Sequence, residues 1–320
     1  MAPVCVGTVQ AEPVLLDLDG SVTKTVDIIR QAAVKGVQVL AFPEVWVGGY
    51  PWPIWAQNAF ESSEFCAKYI AHSLPRDSAH MRRIQAACRE HSIFVVLGYS
   101  EKDDASGSIY ISQAFISSTG DILHNRRKIK PTHVERSLWG DRQGDSLKCV
   151  VDSPFGKIGA LNCWENLQPL LRYYEYSQGV QIHVAGWPSC PSVEKLEAPY
   201  PYGCTSEACL RISQMVALEG QTFVLCSTSI LSKERHEMMG LKDKGIFHED
   251  DGGVAMIFSP DGRPLAEPLP RGEEGILTAV IDLDMIHAAK SLCDLVGHYS
   301  RPDLLSLRVN SVKAEVVHHV

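Results

Sequence analysis

The feature that most constrains the fold is the alternation of short apolar, β-branched runs with stretches whose apolar residues recur at helical spacing. Val4 to Val9 is the first such run. From Ser21 the apolar positions follow one helical stripe, with Ser21 as the predicted N-cap and Gly36 as the predicted stop. Val37 to Phe42 is the second run, so the start of the chain predicts a β-α-β unit.

The same alternation continues to the end of the chain. Helices are predicted over Ala79 to His91, from about Pro169, and over Ser206 to Leu218. Apolar runs predict further strands at Ile93 to Tyr99, Ile109 to Ser117, Lys157 to Asn162, Val180 to Ala185, Thr222 to Ser227, Gly253 to Phe258 and Leu277 to Asp282. No repeat or linker divides the pattern, which therefore predicts one domain of two sheets covered by helices.

Three segments depart from this regular pattern. Pro188 to Thr205 carries four prolines, and Ser232 to Gly252 is dense in charged residues and histidine, so both are expected to be loops that serve as lids or subunit contacts. The domain is predicted to span residues 1–303, followed by a tail over 304–320. Two interpretations of the tail stay open, an arm that docks on a neighbouring subunit and a frayed terminus.

Composition excludes several classes of protein. A formal net charge of −8 disfavours nucleic acid as a partner, and no apolar run approaches the roughly 18 residues of a membrane span. No lysine or arginine precedes Lys24, which argues against a basic signal or transit peptide and favours the cytoplasm. The ten cysteines are scattered and form no Cys-x-x-Cys, and the histidines lack ligand spacing, so no metal is expected. Phosphate-binding and dinucleotide-binding glycine motifs are also missing, and no cofactor is expected.

Cys163 is the first residue that suggests chemistry. It ends an apolar strand and lies six residues before Pro169, a favoured first residue of a helix. Helix amides and the positive end of the helix dipole favour a thiolate, and the N–H after the cysteine is placed to stabilise developing negative charge. The alternative is a buried structural cysteine, the usual role of a free cysteine.

Two further elements carry charge at the ends of predicted strands. Glu44 follows the strand that ends at Phe42, and in a partly dry cleft its pKa would rise toward that of a general base; a solvated or paired glutamate is the alternative. Within the segment Asn125 to Arg136, four cations form a cluster: Arg126, Arg127, Lys128 and Lys130. Charge alone does not decide whether one of these cations serves a site or all form a surface patch.

Together these three segments resemble the signature blocks of the nitrilase superfamily of carbon-nitrogen hydrolases. The blocks are Phe42 to Glu44 with Gly49 to Pro51, Arg126 to Lys128 with Pro131 to Glu135, and Asn162 to Asn166. Glu44 and Lys128 are 84 residues apart, and Lys128 and Cys163 are 35 residues apart, as in the family. The resemblance extends to a C-terminal block at 297–303 and is closest to the true nitrilases, with 170–176 resembling fungal arylacetonitrilases.

The resemblance implies a fold, an activity and four catalytic positions. The fold is an α/β, four-layer α-β-β-α sandwich. Cys163 is implied as the nucleophile, Glu44 as the general base, Lys128 as the cation that stabilises the tetrahedral centre, and Glu135 as a second glutamate that orients Lys128 and the substrate. The implied reaction hydrolyses an arylaliphatic or otherwise hydrophobic nitrile to the carboxylic acid and ammonia through a cysteine thioimidate and thioester, with some amide as by-product.

The substrate pocket and the assembly are further expectations. Tyr50, Trp164 and Trp187 are candidates for an aromatic-lined pocket, although each is equally compatible with the core, and Trp55 is expected to pack. Nitrilases commonly form spiral homo-oligomers, so the resemblance implies homo-oligomerisation. Cyanide hydratase, which forms formamide, is the alternative enzyme, and a non-catalytic oligomeric scaffold would require the loss of a catalytic residue, yet all four are present. His298 is a candidate for an interface, a supporting or a purely structural role.

Overall fold

The computed structural model describes residues 2–195, 201–242, 251–314 and 317. Its strands are β1 Val4–Ala11, β2 Val39–Ala41, β3 Leu74–Pro75, β4 Phe94–Lys102, β5 Ile109–Ile116, β6 Ile122–Arg127, β7 Val150–Ser153, β8 Gly156–Asn162, β9 Ile182–Trp187, β10 Phe223–Leu231, β11 Asp251–Gly252, β12 Met256–Phe258 and β13 Gly275–Ile281. Its α-helices are α1 Leu18–Val34, α2 Pro53–Ala56, α3 Ser63–Ala71, α4 Ala79–His91, α5 Pro169–Ser177, α6 Ser206–Gly220, α7 Lys233–Met238 and α8 Met285–Leu292. None of the described helices has the length and apolar character to cross a membrane.

The strands form two halves that meet at β1. On one side the order is β1-β2-β4-β5-β6, and on the other it is β1-β10-β9-β8-β7. Neighbours from β4 through β2, β1, β10 and β9 to β8 are parallel, and the outer pairs are antiparallel. Strand β13 also pairs with β1, in antiparallel register. Hydrogen bonds therefore join the two expected sheets through β1.

Side-chain alternation in the strands shows how the layers are stacked. Val39 and Ala41 of β2 belong to the same apolar cluster as Val184 of β9, which lies in the other half. Leu40, between them, belongs to a second cluster with residues of α1 and α4. Helices α5 and α6 contribute to the cluster of β8, β9 and β10. Because successive strand residues face opposite sides, the layer order is helices, half-sheet, half-sheet, helices, as expected for the four-layer sandwich.

The first helix begins earlier than its predicted start. Helix α1 starts at Leu18, and the Gly20 N–H donates to Asp17 Oδ1 at 3.0 Å. Ser21, the predicted N-cap, lies inside the helix and is buried. The prediction was wrong because aspartate caps a helix as well as serine does, and Asp17 comes first in the chain.

Several other elements were missed or misassigned. The basic segment begins within strand β6, whose polar and charged residues give no alternating apolar pattern. The segment Ser232 to Gly252 was expected to be a loop, but it contains α7 and β11; residues 243–250 lie outside the described residues. In Pro188 to Thr205 the described part contains only short 3-10 helices at Val193–Lys195 and Tyr202–Cys204, and 196–200 lie outside it.

The described part of the tail has neither helix nor strand over 305–314. It lies against the segment that follows the basic block. The Ala314 N–H donates to Gln143 Oε1 at 2.5 Å. A Cβ atom at Gly144 would lie 2.3 Å from the Asn310 carbonyl oxygen, so the tail packs directly on this glycine.

Candidate active site

The topology brings Glu44, Lys128 and Cys163 to one edge of the sheet. Glu44 follows β2, Lys128 follows β6 and Cys163 follows β8. Strand β6 has the direction of β2 because two antiparallel pairings separate it from β4, and β8 has that direction through a series of parallel neighbours. The carboxyl ends of all three strands therefore lie at the same edge, where α/β folds place their sites.

Two glycines allow the strand ends to approach closely. A Cβ atom at Gly98 of β4 would lie 2.0 Å from the Pro43 carbonyl oxygen, so β4 passes directly beneath the turn that carries Glu44. At Gly186 of β9, a Cβ atom would lie 3.1 Å from the Glu44 nitrogen and 3.4 Å from Asn162 Oδ1. Because Gly186 has no side chain, the ends of β2 and β8 approach each other there, and Glu44 lies close to Asn162, the residue before Cys163.

Lys128 is completely buried between two carboxylates. Its Nζ lies 2.8 Å from Glu44 Oε1 and 2.8 Å from Glu135 Oε2, and all three side chains are at most 1% exposed. Burial opposes the charge on Lys128, but the negative charges of Glu135 and Glu44 outweigh it and raise the Lys128 pKa well above its ordinary value. Lys128 is therefore a permanent cation at the centre of the cluster.

Glu44 is a buried carboxyl group with a raised pKa and one unbonded oxygen among the described residues. Burial raises the Glu44 pKa to about 8, with Glu135 adding to the shift and Lys128 opposing it. Its Oε1 accepts a hydrogen bond from Lys128, whereas its buried Oε2 has no hydrogen-bond partner among the described residues. One oxygen of a carboxylate that titrates near neutrality is thus available to take a proton.

Glu135 also contacts Lys128, but both of its carboxylate oxygens accept hydrogen bonds from other groups or from Lys128. Its Oε1 accepts from the Tyr50 hydroxyl at 2.7 Å, and its Oε2 accepts from Lys128 and from the Thr132 N–H at 2.6 Å. The Trp55 indole in turn donates to the Tyr50 oxygen at 3.0 Å. Glu135 is therefore held as an acceptor that orients Lys128, and the two glutamates have distinct environments.

The backbone at the site is strained where the catalytic candidates sit. Cys163 has a φ of +46°, Val45, next to Glu44, has +51°, and His133, two residues before Glu135, has +47°. For residues with a side chain this left-handed conformation is sparsely populated and costs on the order of 1–3 kcal/mol. Such residues cluster at functional sites, and here one lies within or directly beside each of the three motif segments.

The Cys163 thiol is held in its protonated form. Cys163 begins a five-residue 3-10 helix, Cys163–Leu167, which precedes α5. Burial, and then the negative charge of Glu44, raises the Cys163 pKa well above its ordinary value, while Lys128 opposes this shift. The thiolate expected from the helix start is therefore not the resting form, and the thiol needs a base to become a nucleophile.

A second buried ion pair, which the sequence analysis did not predict, connects the Lys128 segment to the Cys163 turn. Arg126 donates two hydrogen bonds to Glu165, at 2.7 and 2.8 Å. Glu165 also accepts from the N–H groups of Ile129, at 2.9 Å, and Asn162, at 3.0 Å. Despite its burial, Arg126 and these amides hold the Glu165 pKa below its usual range. A cluster of cations followed by a distant glutamate does not reveal its partner in the sequence.

Arg127 and Lys130, the other cations of this cluster, also have carboxylate partners, so the four do not form an uncompensated basic patch. Arg127 lies 2.6 Å from Glu101, and Lys130 pairs with Asp141. Lys128 is the cation of the block that contacts Glu44.

The three aromatic candidates occupy different surroundings. Tyr50 is buried and bonded to Glu135, so it supports the cluster. Trp164 is partly exposed and lines a cavity of about 700 Å³, together with Thr132, His133 and Tyr174. The Trp187 indole instead donates to Ser213 of α6 at 3.0 Å and packs in the core. The structure thus brings Tyr50 to the cluster and directs Trp187 toward α6. Trp164 lies at a cavity that shares Thr132 and His133 with the segment of Glu135, but Glu44, Lys128, Glu135 and Cys163 are not among its lining residues.

Two other residues were weighed from the sequence. Trp55, expected to pack, also stacks on His133 with ring centroids 5.5 Å apart and bonds to Tyr50, so it supports the Glu135 environment. His298 is exposed, and its ring lies 5.1 Å from that of Tyr299. Over residues 2–195, 201–242 and 251–314, no three His, Cys, Asp or Glu side chains are grouped as metal ligands would be.

Comparison with known proteins agrees with the fold and the motif segments. The family model described as carbon-nitrogen hydrolase matches residues 5–291. The chain is 54% identical over 311 residues to a nitrilase of Talaromyces marneffei, covering 95% of this chain and 94% of that protein. It is 46% identical to an arylacetonitrilase of Aspergillus kawachii, covering 97% and 93% of the two chains.

A solved structure confirms the predicted sandwich. The Saccharomyces cerevisiae protein Nit3, a member of branch 10 of the nitrilase superfamily, aligns with a TM-score of 0.70 over 93% of this chain and 96% of that one, at 16% sequence identity. At that identity the likeness concerns the fold alone. With the family match over most of its length and these relatives, the chain belongs to the carbon-nitrogen hydrolase family, in the nitrilase superfamily.

Proposed function

We propose that this chain is a nitrilase that hydrolyses a hydrophobic nitrile to the carboxylic acid and ammonia. Cys163 is the nucleophile, Glu44 the general base, Lys128 the stabilising cation, and Glu135 the residue that positions Lys128. The observation that carries the proposal is the buried cluster in which Lys128 contacts two glutamates. Within the described part of the chain, only Glu44 of the two has an oxygen without a hydrogen-bond partner. The relatives named nitrilase and arylacetonitrilase support the same substrate class.

The first half of the reaction forms a covalent intermediate. A nitrile carbon has no leaving group, so the reaction proceeds by addition. Glu44 takes the proton of the Cys163 thiol, sulfur adds to the nitrile carbon, and the nitrogen receives a proton to give the thioimidate. The raised pKa of Cys163 makes this proton transfer necessary, and the raised pKa of Glu44 makes it feasible.

The second half releases the two products. Glu44 activates a water molecule that adds to the thioimidate carbon, and the resulting tetrahedral species loses ammonia to leave a thioester. A second water then releases the carboxylic acid and restores the thiol. If the tetrahedral species expels sulfur first, the product is the amide. Lys128 and the Trp164 N–H stabilise the charge that develops in these species.

The cavity beside Trp164 supports a hydrophobic substrate. Its walls include Leu171, Tyr174 and Leu307, together with Thr132 and His133 of the block that holds Glu135. A volume of about 700 Å³ lies within the range of small-molecule sites. We propose that an arylaliphatic nitrile places its ring in this cavity. Trp187, which faces α6, supports the core of the half-sheet under the site.

Free cysteines support the proposed cytoplasmic location. All ten cysteines are free, including Cys163. A nucleophilic thiol must stay reduced, and reducing conditions are those of the cytoplasm.

We also propose a homo-oligomer, of the spiral kind, in which a 1–303 domain is joined through its 304–320 tail. Several apolar side chains of the described tail are exposed, among them Leu304, Leu305 and Val312, at 67%, 83% and 72%. Val280 of β13 and Leu292 of α8 are also exposed, at 70% and 80%. Apolar side chains so exposed support contacts with a further copy of the chain.

The mechanism predicts unequal losses in two variants. Cys163→Ala should release no ammonia from phenylacetonitrile because no covalent intermediate forms, and Glu44→Gln should lose roughly a hundred- to ten-thousandfold in kcat because it removes the base. The control is Cys88→Ala, a buried cysteine of α4, which should keep wild-type turnover. Folding is checked by circular dichroism. Normal ammonia release by folded Cys163→Ala would refute the assignment.

The Glu44 pKa predicts an unusual pH profile. A carboxyl whose pKa is raised to about 8 is protonated, and inactive as a base, at lower pH. We therefore expect kcat/KM to fall as pH decreases through about 8, instead of through 4 to 5. In Glu135→Gln one negative charge that raises the Glu44 pKa is removed, so the fall should move to lower pH. A wild-type profile that is flat down to pH 5 would contradict this role of Glu44.

Substrate comparison separates the proposed nitrilase from the alternatives. We expect phenylacetonitrile to yield phenylacetate and ammonia, with turnover of cyanide and of phenylacetamide at least about tenfold lower. Trp164→Ala should raise KM for phenylacetonitrile more than for propionitrile because only the aromatic nitrile reaches the cavity wall. Formamide from cyanide as the preferred reaction would identify a cyanide hydratase, and inactivity on all three would indicate a non-catalytic scaffold.

The tail predicts a change in assembly. Truncation after Asp303 removes the exposed apolar side chains of the tail and should lower the sedimentation coefficient of the native assembly. The double variant Leu304→Ser/Leu305→Ser keeps the chain length and should show a smaller decrease of the same sign. An unchanged sedimentation profile in both variants would show that the tail does not hold the assembly together.

A further inference from the structure

We infer that His183 is a positioning residue that acts through Asn166 to fix the peptide group between Cys163 and Trp164, and thereby aims the Trp164 N–H at the reacting centre. This inference rests on the proposed function, in which Cys163 is the nucleophile and that N–H stabilises developing charge. No other step of the mechanism uses His183, which lies in β9.

A buried chain of hydrogen bonds connects His183 to the nucleophile turn. Glu175 of α5 bonds through Oε1 to His183 Nδ1 at 2.8 Å, and His183 Nε2 bonds to Asn166 Oδ1 at 2.8 Å. Asn166 Nδ2 then donates to the Cys163 carbonyl oxygen at 3.0 Å and to that of Leu161 at 3.4 Å. The side chains of Glu175, His183 and Asn166 are fully buried, so water does not compete for these bonds.

The direction of each bond follows from the groups involved. Asn166 Nδ2 faces two carbonyl oxygens, so its Oδ1 must be the atom that faces His183 and can only accept. His183 Nε2 therefore carries a hydrogen. One further proton lies between Nδ1 and Glu175, whichever of the two groups carries it, and the pair is neutral as a whole. His183 thus fixes the orientation of the Asn166 amide, which would otherwise be free to turn by half a rotation.

Peptide geometry transmits this orientation to the site. The Cys163 carbonyl and the Trp164 N–H belong to one planar trans peptide group and point in opposite directions. A bond to the carbonyl oxygen therefore sets the direction of the N–H. Trp164 is the second residue of the Cys163–Leu167 helix, whose first-turn N–H groups have no acceptor within the helix. The left-handed Cys163 would leave this peptide poorly defined without an external bond.

Surrounding residues fix the positions of Glu175 and Asn166, the side chains on either side of His183. A Cβ atom at Gly159 of β8 would lie 2.4 Å from Glu175 Oε1, so only glycine lets the carboxyl group reach this depth. Arg172 donates to the Asn166 carbonyl oxygen at 3.0 Å and is itself held by Glu219 at 2.6 Å. The backbone of Asn166 is fixed by Arg172 and its side chain by His183, so the amide has one position from which to hold Cys163.

The decisive variants each break a different hydrogen bond of the series from Glu175 to the Cys163 carbonyl. When its side chain is ionised, Asn166→Asp keeps the acceptor for His183 but has no hydrogen to donate to the Cys163 carbonyl, and His183→Leu releases the Asn166 amide. Both should lower kcat for phenylacetonitrile by about tenfold to a hundredfold, somewhat less than the loss of a whole oxyanion donor, with KM within about twofold. Because the links act in series, the double variant should be no worse than the poorer single variant.

Conservative and control variants separate positioning from general support of the fold. Glu175→Gln can donate to His183 Nδ1, so it keeps the chain and should retain kcat within about threefold. Ser213→Ala removes an equally buried hydrogen bond, to Trp187, which has no link to the Cys163 peptide, and it should retain kcat.

The rate of Cys163 alkylation separates the two roles. General damage to the site would lower this rate together with kcat, whereas loss of positioning alone would lower only kcat. Iodoacetamide reacts by displacement and forms no tetrahedral species, so its rate at Cys163, followed by peptide mass, should stay within about twofold in Asn166→Asp and His183→Leu. A wild-type kcat in folded Asn166→Asp, or an alkylation rate that falls as far as kcat, would overturn the inference. Should His183→Leu fail to fold, Asn166→Asp decides alone. Activity in Cys163→Ala would instead refute the proposed function, and the inference with it.

Discussion

The site depends on one ammonium group held between two carboxylates away from water. Separating Lys128 from either partner would leave a buried charge uncompensated, which typically costs about 3–5 kcal/mol. The cluster of Lys128, Glu44 and Glu135 has a net charge of −1 when both glutamates are ionised and of zero when one is protonated. In a buried site the neutral state is favoured, which explains why one carboxyl titrates near neutrality. Glu44 is the carboxyl whose pKa burial raises to about 8, and its Oε2 has no hydrogen-bond partner among the described residues.

The rest of the fold brings the three segments that carry this cluster together. Three strands from distant parts of the chain end at one edge. Glycine at 98 permits an approach that a Cβ atom would block, and glycine at 186 relieves a tight contact between the turns. The Arg126–Glu165 pair fastens the lysine segment to the cysteine turn through bonds to both backbones. Left-handed residues in all three segments remain only because this packing defines their positions.

The sequence predicted the parts of the structure that local pattern controls. Helix α4 has the predicted limits, Ala79–His91, since its amphipathic stripe and its ends are both local. The start of α1 was missed because two acceptable caps, Asp17 and Ser21, lie close together. Strand β6 was missed because its polar and charged residues give no alternating apolar pattern, and contacts such as Arg126–Glu165 join residues far apart in sequence. Motif order indicated Glu44, Lys128 and Cys163, but not their contacts, nor the His183 chain, which depends on register between β8 and β9.

The pKa values of the cluster also explain why a cysteine serves here without being a thiolate at rest. A permanent thiolate would add a second negative charge beside Glu44 in a buried site, which is why burial and Glu44 raise the Cys163 pKa. When the thiol proton moves to Glu44, the total charge is unchanged, and the negative charge shifts from one neighbour of Lys128 to another. Lys128 lowers the Cys163 pKa and so stabilises the product of this transfer as well. The same cation thus orients the base, allows the nucleophile to form without a change in buried charge, and meets the charge that develops on the substrate.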